Sequence, residues 1–196
     1  MSLDSDRRPT AKDKAHIMGQ RPLVVWFTGL SGSGKTTLAS GLEKILFEKG
    51  IKTFLLDGDR LRSGLNRDLG FSQQDREENI RRAAEIASMM CDAGLIVLAS
   101  FISPYQKDRD RARHIIGSDR FVEVYLECTI DVCRHRDVKG LYKKADSGEI
   151  EQFTGLTAPY ETPTNPDLKL STGSHSIESC LAALMNTVLP RIIDGN

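Results

Sequence analysis

The sequence predicts an α/β fold in three layers, in which a parallel five-stranded sheet is covered by helices on both faces. Short apolar runs alternate with amphipathic helical segments along most of the 196 residues, which is typical of strand–helix–strand units around a parallel sheet. A glycine-rich turn stands between the first strand and the first helix of this pattern. Polar clusters follow the predicted strands where they end, which is where ligands bind in such sheets.

The first strand and helix enclose a phosphate-binding sequence. The apolar run at residues 23–27 predicts a buried strand, and the following helix repeats Leu38, Leu42 and Leu46 on one face. Between them, residues 29–36 read Gly-Leu-Ser-Gly-Ser-Gly-Lys-Thr, which satisfies GxxxxGK[ST]. A chance Gly/Ser turn is the alternative, but strand, turn and helix stand in the order that the motif requires. The sequence therefore predicts the P-loop NTPase fold.

The fixed positions of this loop have physical roles in binding a nucleotide. Backbone N–H groups curl around phosphate oxygens, and the helix N-terminus adds partial positive charge. Lys35 is expected to reach the terminal phosphates, and Thr36 to offer its hydroxyl to Mg²⁺. The loop residues predicted to bind ATP are Gly29, Leu30, Ser31, Gly32, Ser33, Gly34, Lys35, Thr36 and Thr37.

The remaining elements follow from periodicity and turn residues. Further strands are predicted at residues 53–56, 95–99, 122–126 and 168–170, and further helices at residues 72–93, 105–116, 131–136 and 177–192. Residues 137–166 carry little periodic apolar signal, and a structureless connection of that length is uncommon inside a compact domain. We expect them to form a functional lid.

Composition indicates one domain without a general affinity for polyanions. Residues 21–196 are expected to form the domain, and the polar residues 1–20 a mobile amino-terminal tail. The 27 basic and 27 acidic side chains cancel, so neither nucleic acid nor an anionic membrane is an expected partner. The four cysteines lack the spacing of a zinc site or a disulfide framework. No signal peptide and no membrane-spanning stretch are evident, which favours the cytoplasm.

Two carboxylates follow the second predicted strand, in the sequence Asp57-Gly58-Asp59. The third strand is followed by Ser100 and supplies no acid there, so these two aspartates are the expected acidic groups of the site. One is expected to help organise hydrated Mg²⁺, and the other to accept or orient the proton of an attacking hydroxyl. A solvated Asp-Gly turn is the alternative.

Two further clusters are candidates for binding an anionic substrate, because arginine forks match phosphate and sulfate oxygens. The first cluster lies just before the long helix and in its first turns. Arg76 and Asn79 are three residues apart, so they share a face of that helix. The ring of Phe71 either stacks on a purine or anchors the helix. The second runs through the predicted lid, where its charges either close over phosphates or form a charged surface. The candidates are Arg62, Phe71, Arg76 and Asn79 in the first cluster, and Arg136, Lys139, Gly140, Leu141, Phe153 and Thr154 in the second.

The segment after the third strand contains Ser100 and Ser103. A serine nucleophile needs a nearby base, and none of the four histidines forms an evident pattern with these serines. Ser103 is therefore expected to be a binding or turn residue before Pro104.

These stretches together resemble the adenylyl-sulfate kinase (APS kinase) family, and they occur in family order between residues 21 and 170. The similarity is far more specific than the phosphate loop alone. The matching text lies at residues 29–36, 56–59, 64–66, 68–72, 75–82, 100–105, 136–145, 153–155 and 159–161.

The resemblance implies transfer of the ATP γ-phosphoryl group to the ribose 3′-hydroxyl of adenylyl sulfate, with ATP and Mg²⁺ required and PAPS and ADP as products. It implies that Arg62, Arg76, Asn79 and Lys139 hold the acceptor nucleotide, with Gly140, Leu141 and Thr154 beside them. Phe71 and Phe153 would sandwich its adenine, Ile102 would line the pocket, Asp59 would face the hydroxyl, and Asp57 and Thr36 would hold the metal. Ser103 matches a position described as a phosphoserine intermediate, whereas direct in-line transfer needs only positioning and charge stabilisation. Lys35, Asp57, Asp59 and Ser103 are thus the catalytic candidates. A homodimer and a functional link to ATP sulfurylase are also implied.

One departure from the family pattern and two other interpretations stay open at this stage. Arg60 stands where the family usually has asparagine after Asp-Gly-Asp, which adds a positive charge near the substrate. A different small-molecule P-loop kinase, acting on a nucleoside or a sugar, is the alternative enzyme. A catalytically inactive module that senses PAPS is the alternative from another class, but the intact Gly34, Lys35 and Thr36 argue against it.

Overall fold

The computed structural model describes residues 8–193, and this part of the chain contains one five-stranded sheet. The strand order is β2-β3-β1-β4-β5, and every neighbouring pair is parallel. The predicted sheet is therefore confirmed, with shifts of one residue at some strand ends. The strands are β1 Leu23–Thr28, β2 Thr53–Asp57, β3 Ile96–Ser100, β4 Phe121–Glu127 and β5 Leu168–Ser171.

Helices cover both faces of this sheet and form the outer layers. Side chains alternate across β1, so Val25 and Phe27 join one core with α2 and α8, while Val24 and Trp26 join a second core with α4 and α5. This alternation follows from the period of two along a strand. The helices are α1 Ala11–Met18, α2 Lys35–Glu48, α3 Gly58–Ser63, α4 Gln73–Asp92, α5 Gln106–Ile116, α6 Ile130–Arg136, α7 Leu141–Asp146 and α8 Ile177–Ile192.

The carboxyl ends of the central strands meet at one edge of the sheet. Phe27 of β1 pairs with Ser100 of β3, which pairs in turn with Asp57 at the end of β2. Because these strands end at the same level of the sheet, the segments that follow them start next to one another. These segments are the phosphate loop after β1, the segment with Asp59 after β2 and the segment with Ser103 after β3. The sheet therefore gathers the candidate residues at one edge, as a doubly wound fold requires.

The amino-terminal segment contains a helix that the sequence did not predict. Ala11–Met18 forms this helix, which begins with a capping box between Thr10 and Asp13. Gln20 is buried, and its side-chain amide donates to the carbonyl oxygens of Lys52 (2.8 Å) and Gly94 (2.9 Å). The helix was not predictable because about two turns of mostly polar residues carry almost no apolar period. Residues 1–7 and 194–196 lie outside the described part of the chain, and the domain boundary at residue 21 stays a prediction.

The predicted lid at residues 137–166 contains a short helix, α7, that the apolar pattern did not reveal. The carboxylate of Asp137 accepts hydrogen bonds from the backbone N–H groups of Tyr142 (3.0 Å) and Lys143 (3.2 Å) at the helix start. The hydroxyl of Tyr142 donates to the carbonyl of Ser31 at 3.0 Å. The lid is thereby tied to the phosphate loop. Among residues 8–193, no helix is both long enough and apolar enough to cross a membrane.

We expect Leu42→Ala to lower the free energy of unfolding by ~2–5 kcal/mol, because it leaves a cavity in the core beneath α2. Leu42 is fully buried among residues of β1, β3 and α8. Chemical denaturation measures the change. Lys44→Ala on the exposed side of the same helix is the matched control, expected within ~0.5 kcal/mol of the parent. An equal effect of the two substitutions would contradict this core assignment.

Candidate active site

A cleft of about 1080 Å³ opens at the carboxyl edge of the sheet. The phosphate loop forms one end, and α3 with the start of α4 forms the other. The segment after β3 and the lid form the walls between them. The phosphate loop, the two aspartates and the two candidate anion-binding clusters, which were predicted from separate parts of the sequence, therefore share one cavity.

The phosphate loop owes its path to glycines that approach neighbouring backbone closely. Gly32 has φ 77°, and a Cβ atom at this position would lie 2.8 Å from the carbonyl oxygen of Cys133. A Cβ atom at Gly29 would lie 2.8 Å from the carbonyl oxygen of Leu126. A side chain at either position would therefore push the loop away from β4 and α6, and away from the position where its N–H groups cradle phosphate.

Lys35 is a partly buried cation at the start of α2. Its ammonium group donates to the carbonyl oxygens of Gly29 (3.0 Å) and Leu30 (2.8 Å). Burial lowers the pKa of Lys35 to about 8, and the positive charge of Lys139 acts in the same direction, against the opposing influence of Cys133, Asp59 and Asp57. Triphosphate oxygens would supply the negative partner that this partly buried charge lacks.

Asp57 connects the phosphate loop to α3. One of its carboxylate oxygens accepts a hydrogen bond from the Thr36 hydroxyl at 2.9 Å. The other accepts from the backbone N–H groups of Asp59 (2.9 Å) and Arg60 (3.4 Å), which caps the helix. The sequence is therefore a helix start rather than a solvated Asp-Gly turn, and it holds two hard oxygen ligands next to the phosphate loop.

Asp59 and Lys139 form an ion pair across the cleft. Asp59 is on α3 and Lys139 is in the lid, 80 positions later in the chain, so the pair spans the space between the two walls. Both side chains remain more than half exposed, which leaves them free to exchange this partner for a ligand. Arg60 is exposed on the same helix.

Arg62 and Arg76, the arginines of the first anion-binding cluster, donate hydrogen bonds to oxygen atoms near the start of α4. Arg76 donates to the carbonyl oxygens of Phe71 (2.9 Å) and Gln152 (2.6 Å) and to the hydroxyl of Thr154 (2.9 Å). Arg62 donates to the carbonyl of Gly70 at 2.9 Å. Burial lowers the pKa of both guanidinium groups. Both remain cationic, because an arginine pKa lies far above neutrality.

The two predicted aromatic walls differ in their exposure. The ring of Phe71 is exposed, and the Arg62 guanidinium lies 4.6 Å from its centroid. Stacking a purine on that face would require Arg62 to move. Phe153 is buried and packs edge-on against Tyr142 at 4.8 Å between ring centroids. Asn79 accepts a hydrogen bond from the buried Asn66 at 2.9 Å, which fixes its amide.

Ser103 is buried and its hydroxyl is already engaged. The hydroxyl donates to Thr28 at 2.9 Å and accepts from the indole N–H of Trp26 at 3.2 Å. Neither partner is a base at neutral pH. These contacts agree with a binding or turn residue. They include no base that would activate the Ser103 hydroxyl as a nucleophile.

Arg136 joins the donor end of the cleft to the last strand. Its guanidinium donates to the carbonyl oxygens of Thr172 (2.6 Å) and Gly32 (3.3 Å), and the Thr172 hydroxyl donates to the carbonyl of Ser33 at 2.8 Å. Thr172 and three cleft residues that follow it, His175, Ile177 and Cys180, were not predicted from the sequence. Their position after a parallel strand was the available signal.

Most predicted site residues line the cleft together. They are Ser31, Gly32, Ser33, Gly34, Lys35, Thr36, Thr37, Asp57, Asp59, Arg62, Phe71, Arg76, Asn79, Ile102, Ser103, Arg136, Lys139, Leu141, Phe153 and Thr154. Gly29, Leu30 and Gly140 are outside this lining. Gly29 packs on β4, Leu30 contacts the apolar cluster beneath the lid, and Gly140 begins α7 with φ 66°.

The sheet order, the phosphate loop after its central strand and the cationic cluster facing that loop define a P-loop kinase. Comparison with solved structures agrees with this fold. A gluconokinase from Sinorhizobium meliloti 1021 shares the fold with a TM-score of 0.57 at 15% identity, and the match covers 86% of this chain and 92% of that one.

The chain belongs to the adenylylsulphate kinase family, whose model matches residues 21–171. An adenylyl-sulfate kinase from Geotalea uraniireducens strain Rf4 is 55% identical over 189 residues, which cover 96% of this chain and 91% of the relative. One from Prochlorococcus marinus strain SARG is 49% identical over 184 residues, which cover 94% and 90%. The Mycobacterium tuberculosis APS kinase, solved in complex with AMPPNP and APS, matches with a TM-score of 0.82 at 46% identity and covers 86% of this chain and 98% of that one.

We expect nucleotide affinity to weaken as pH rises above about 8, because the free protein then loses the Lys35 proton that bound phosphates require. At the alkaline end of the range, the affinity for ATP should fall about tenfold for each pH unit. Calorimetric titration of ATP between about pH 7.5 and 9.5 measures it, and binding should take up protons in that window. Lys35→Arg keeps its charge throughout and is expected to bind with a flat profile. A flat profile for the parent protein would contradict the lowered pKa.

Proposed function

We propose that this chain transfers the γ-phosphoryl group of ATP to the 3′-hydroxyl of adenylyl sulfate and releases PAPS and ADP. Membership of the adenylylsulphate kinase family supports the reaction. The observation that carries the assignment of residues is the shared cleft, in which the phosphate loop faces an arginine and aromatic cluster with Asp59 between them.

The donor half binds and orients ATP. Residues 29–37 cradle the phosphates with backbone N–H groups, and Lys35 replaces its carbonyl partners with phosphate oxygens. Arg136, Thr172 and His175 line the opposite part of this half, where they contact the rest of the nucleotide. Phosphoryl transfer needs positioning and charge stabilisation more than covalent chemistry from the protein, and these groups supply both.

The oxygen atoms beside the phosphate loop fit Mg²⁺. Thr36 and Asp57 present a hydroxyl and a carboxylate in direct hydrogen-bond contact, and hard oxygen ligands of this kind suit that ion, which keeps several waters. Thr36 would bind it directly and Asp57 would orient its waters. When bound, Mg²⁺ neutralises charge that develops on the β- and γ-phosphate oxygens.

The acceptor half recognises adenylyl sulfate by charge and stacking. Arg62, Arg76 and Lys139 hold carbonyl or carboxylate oxygens in the free protein, so a phosphosulfate group would exchange for oxygens of similar geometry. Phe71 and Phe153 border the adenine, with Phe71 the more accessible ring. Ile102 and Ser103 complete the wall.

Asp59 orients the attacking 3′-hydroxyl. Lys139 occupies this carboxylate in the free protein, and binding of the acceptor anion draws Lys139 to the substrate and releases Asp59. The hydroxyl oxygen then attacks the γ-phosphorus in line, the bond from that phosphorus to the bridging oxygen breaks so that ADP leaves, and the hydroxyl proton passes to Asp59. The buried hydroxyl of Ser103, bonded to Thr28 and Trp26, favours this direct transfer over a phosphoserine intermediate.

A coupled assay of ADP release with ATP, Mg²⁺ and adenylyl sulfate tests the function. Adenylyl sulfate should be the preferred acceptor over adenosine, AMP and gluconate. Preference for gluconate or adenosine would favour another small-molecule kinase, and binding of PAPS without turnover would favour a regulatory module. A homodimer, a cytoplasmic location and a link to ATP sulfurylase are further parts of the proposal. A hexameric APS kinase from Thiobacillus denitrificans shows that a relative assembles.

We expect Asp59→Ala to reduce kcat by about 10²-fold or more, because removing a charged contact made in the transition state costs ~3 kcal/mol. Steady-state kinetics with saturating ATP and adenylyl sulfate measure the loss. Asp131→Ala removes an exposed aspartate from α6, outside the cleft, and should leave kcat unchanged. Near-normal turnover of Asp59→Ala would show that its assigned role is wrong.

Asp57→Asn should raise the Mg²⁺ concentration needed for half-maximal rate, because an amide attracts the hydrated ion less than a carboxylate does. Asparagine caps helices as well as aspartate, so α3 should persist. Activity is measured against free Mg²⁺ at fixed ATP, and circular dichroism confirms the fold. An unchanged Mg²⁺ requirement would move the metal-organising role to another residue.

A further inference from the structure

The segment after β3 holds an unusual backbone conformation in the wall of the cleft. Ser103 is not a glycine, yet it has φ 39°, which lies in the left-handed region that favours glycine. A side chain at positive φ is strained, and such strain persists only where the surroundings enforce it. We call residues 102–104, which line the cleft, the acceptor wall.

One hydroxyl, that of Thr28, holds the acceptor wall from the sheet side. It donates to the carbonyl of Ile102 at 2.8 Å and accepts from the hydroxyl of Ser103 at 2.9 Å. The hydroxyl of Tyr160 is 3.0 Å away. Since a threonine hydroxyl has one proton, the Tyr160 hydroxyl is the donor in that contact. Residue 160 at the end of the lid is thus joined to the acceptor wall.

Arg109 holds the same wall from the opposite side. The residue is 1% exposed, and its Nε atom lies 2.8 Å from a carboxylate oxygen of the buried Glu123. One terminal nitrogen donates to the carbonyl of Ser103 at 2.8 Å. The other donates to the carbonyl of Glu161 at 2.8 Å and to the side chain of Gln106 at 2.6 Å.

Glu161 closes the connection between the wall and the lid. Its backbone N–H donates to the carbonyl of Pro104 at 2.8 Å, and its carboxylate accepts from the backbone N–H of Gln106 at 2.6 Å. The guanidinium of Arg109 therefore contacts the strained residue, the lid end and the first turn of α5 at once. A planar fork with fixed donor directions can do this, whereas a lysine ammonium cannot.

Stability alone does not account for this buried charge. Replacing a buried ion pair by apolar residues of similar size is often neutral or stabilising. Among residues 8–193, the hydrogen bonds of the Arg109 guanidinium reach the cleft lining at Ser103, in the acceptor wall. The arrangement instead fixes the acceptor wall, the lid near Glu161 and the first turn of α5 relative to one another. Under the proposed function, the acceptor nucleotide binds against the acceptor wall.

We propose that Arg109, held by Glu123, is a positioning residue that sets the acceptor wall and the end of the lid for the incoming acceptor nucleotide. This inference rests on the proposed function of the cleft. It assigns no contact between Arg109 and either substrate. The donor half is built on the phosphate loop and α2, so ATP binding does not depend on Arg109.

The test is the double variant Arg109→Met with Glu123→Leu, which removes both buried charges and keeps similar volume. We expect KM for adenylyl sulfate to rise about tenfold or more and kcat to fall, because small misplacements of a bound substrate are costly. The Kd for ATP should stay within about twofold, since uniform binding at the donor half is untouched. Arg109→Lys, with a single point charge, should recover only part of the loss.

Arg113→Met is the matched control. Arg113 lies on the same helix and also faces Glu123 (3.8 Å), but it pairs with Asp167 (2.9 Å) and has no contact with the acceptor wall among its described partners. Arg113→Met should leave both the KM for adenylyl sulfate and the Kd for ATP unchanged. Equal weakening of ATP and adenylyl sulfate in the double variant, or loss of active protein with unchanged KM, would overturn the proposal, because either outcome indicates a purely structural role.

Hydrogen exchange separates this inference from the proposed function. In the double variant, amides of residues 101–106 and 158–163 should exchange faster than in the parent, while those of residues 29–37 should not change. This readout does not depend on turnover, so a parent protein inactive toward adenylyl sulfate would refute the function and leave the positioning role measurable. Unchanged exchange at residues 101–106 would refute the positioning role.

Discussion

The close approach of the phosphate loop to β4 and α6 is the constraint on which the rest of the site depends. Gly29 and Gly32 bring loop backbone against the carbonyl oxygens of Leu126 and Cys133, and the resulting path leaves Lys35 partly buried at the start of α2. Three hydrogen bonds attach other parts of the chain to this loop and the start of α2. They come from Tyr142 in the lid, Thr172 just after β5 and Asp57 at the end of β2. The loop is therefore the fixed frame of the cleft, and the acceptor half is placed relative to it.

The charged groups of the cleft are paired in the free protein, and this shapes how ligands bind. Lys35 contacts two carbonyl oxygens, Lys139 contacts Asp59, and Arg76 contacts Gln152 and Thr154. A buried or half-buried cation without any partner would be costly. Substrate anions therefore exchange for existing partners, so net affinity reflects the difference between two sets of contacts. Under the proposed function this exchange would also couple the two halves of the cleft, because Lys139 would release the carboxylate of Asp59, which orients the attacking hydroxyl.

Much of the fold and of the candidate site follows from the sequence, and the exceptions have physical reasons. The strands and long helices were predictable because their apolar periods are strong, as in the alternating core residues of β1. Helices α1, α3 and α7 were not, because short helices held by caps such as Thr10 and Asp57 have no apolar stripe. The motifs located the chemistry, but they could not show that the Ser103 hydroxyl is engaged by partners 75 and 77 positions away. The cleft residues after β5 were missed because they lie beyond the stretches that carry the family resemblance, which end before residue 171.

The ion pair between Asp59 and Lys139 has a consequence for what happens when ATP is bound and no acceptor is present. Water can reach an open cleft, and a free carboxylate beside the γ-phosphorus would help to activate it. Under the proposed function, an ammonium group on that carboxylate would leave a water molecule in the acceptor position without a free general base. The ion pair would then also slow hydrolysis of bound ATP while no acceptor is present.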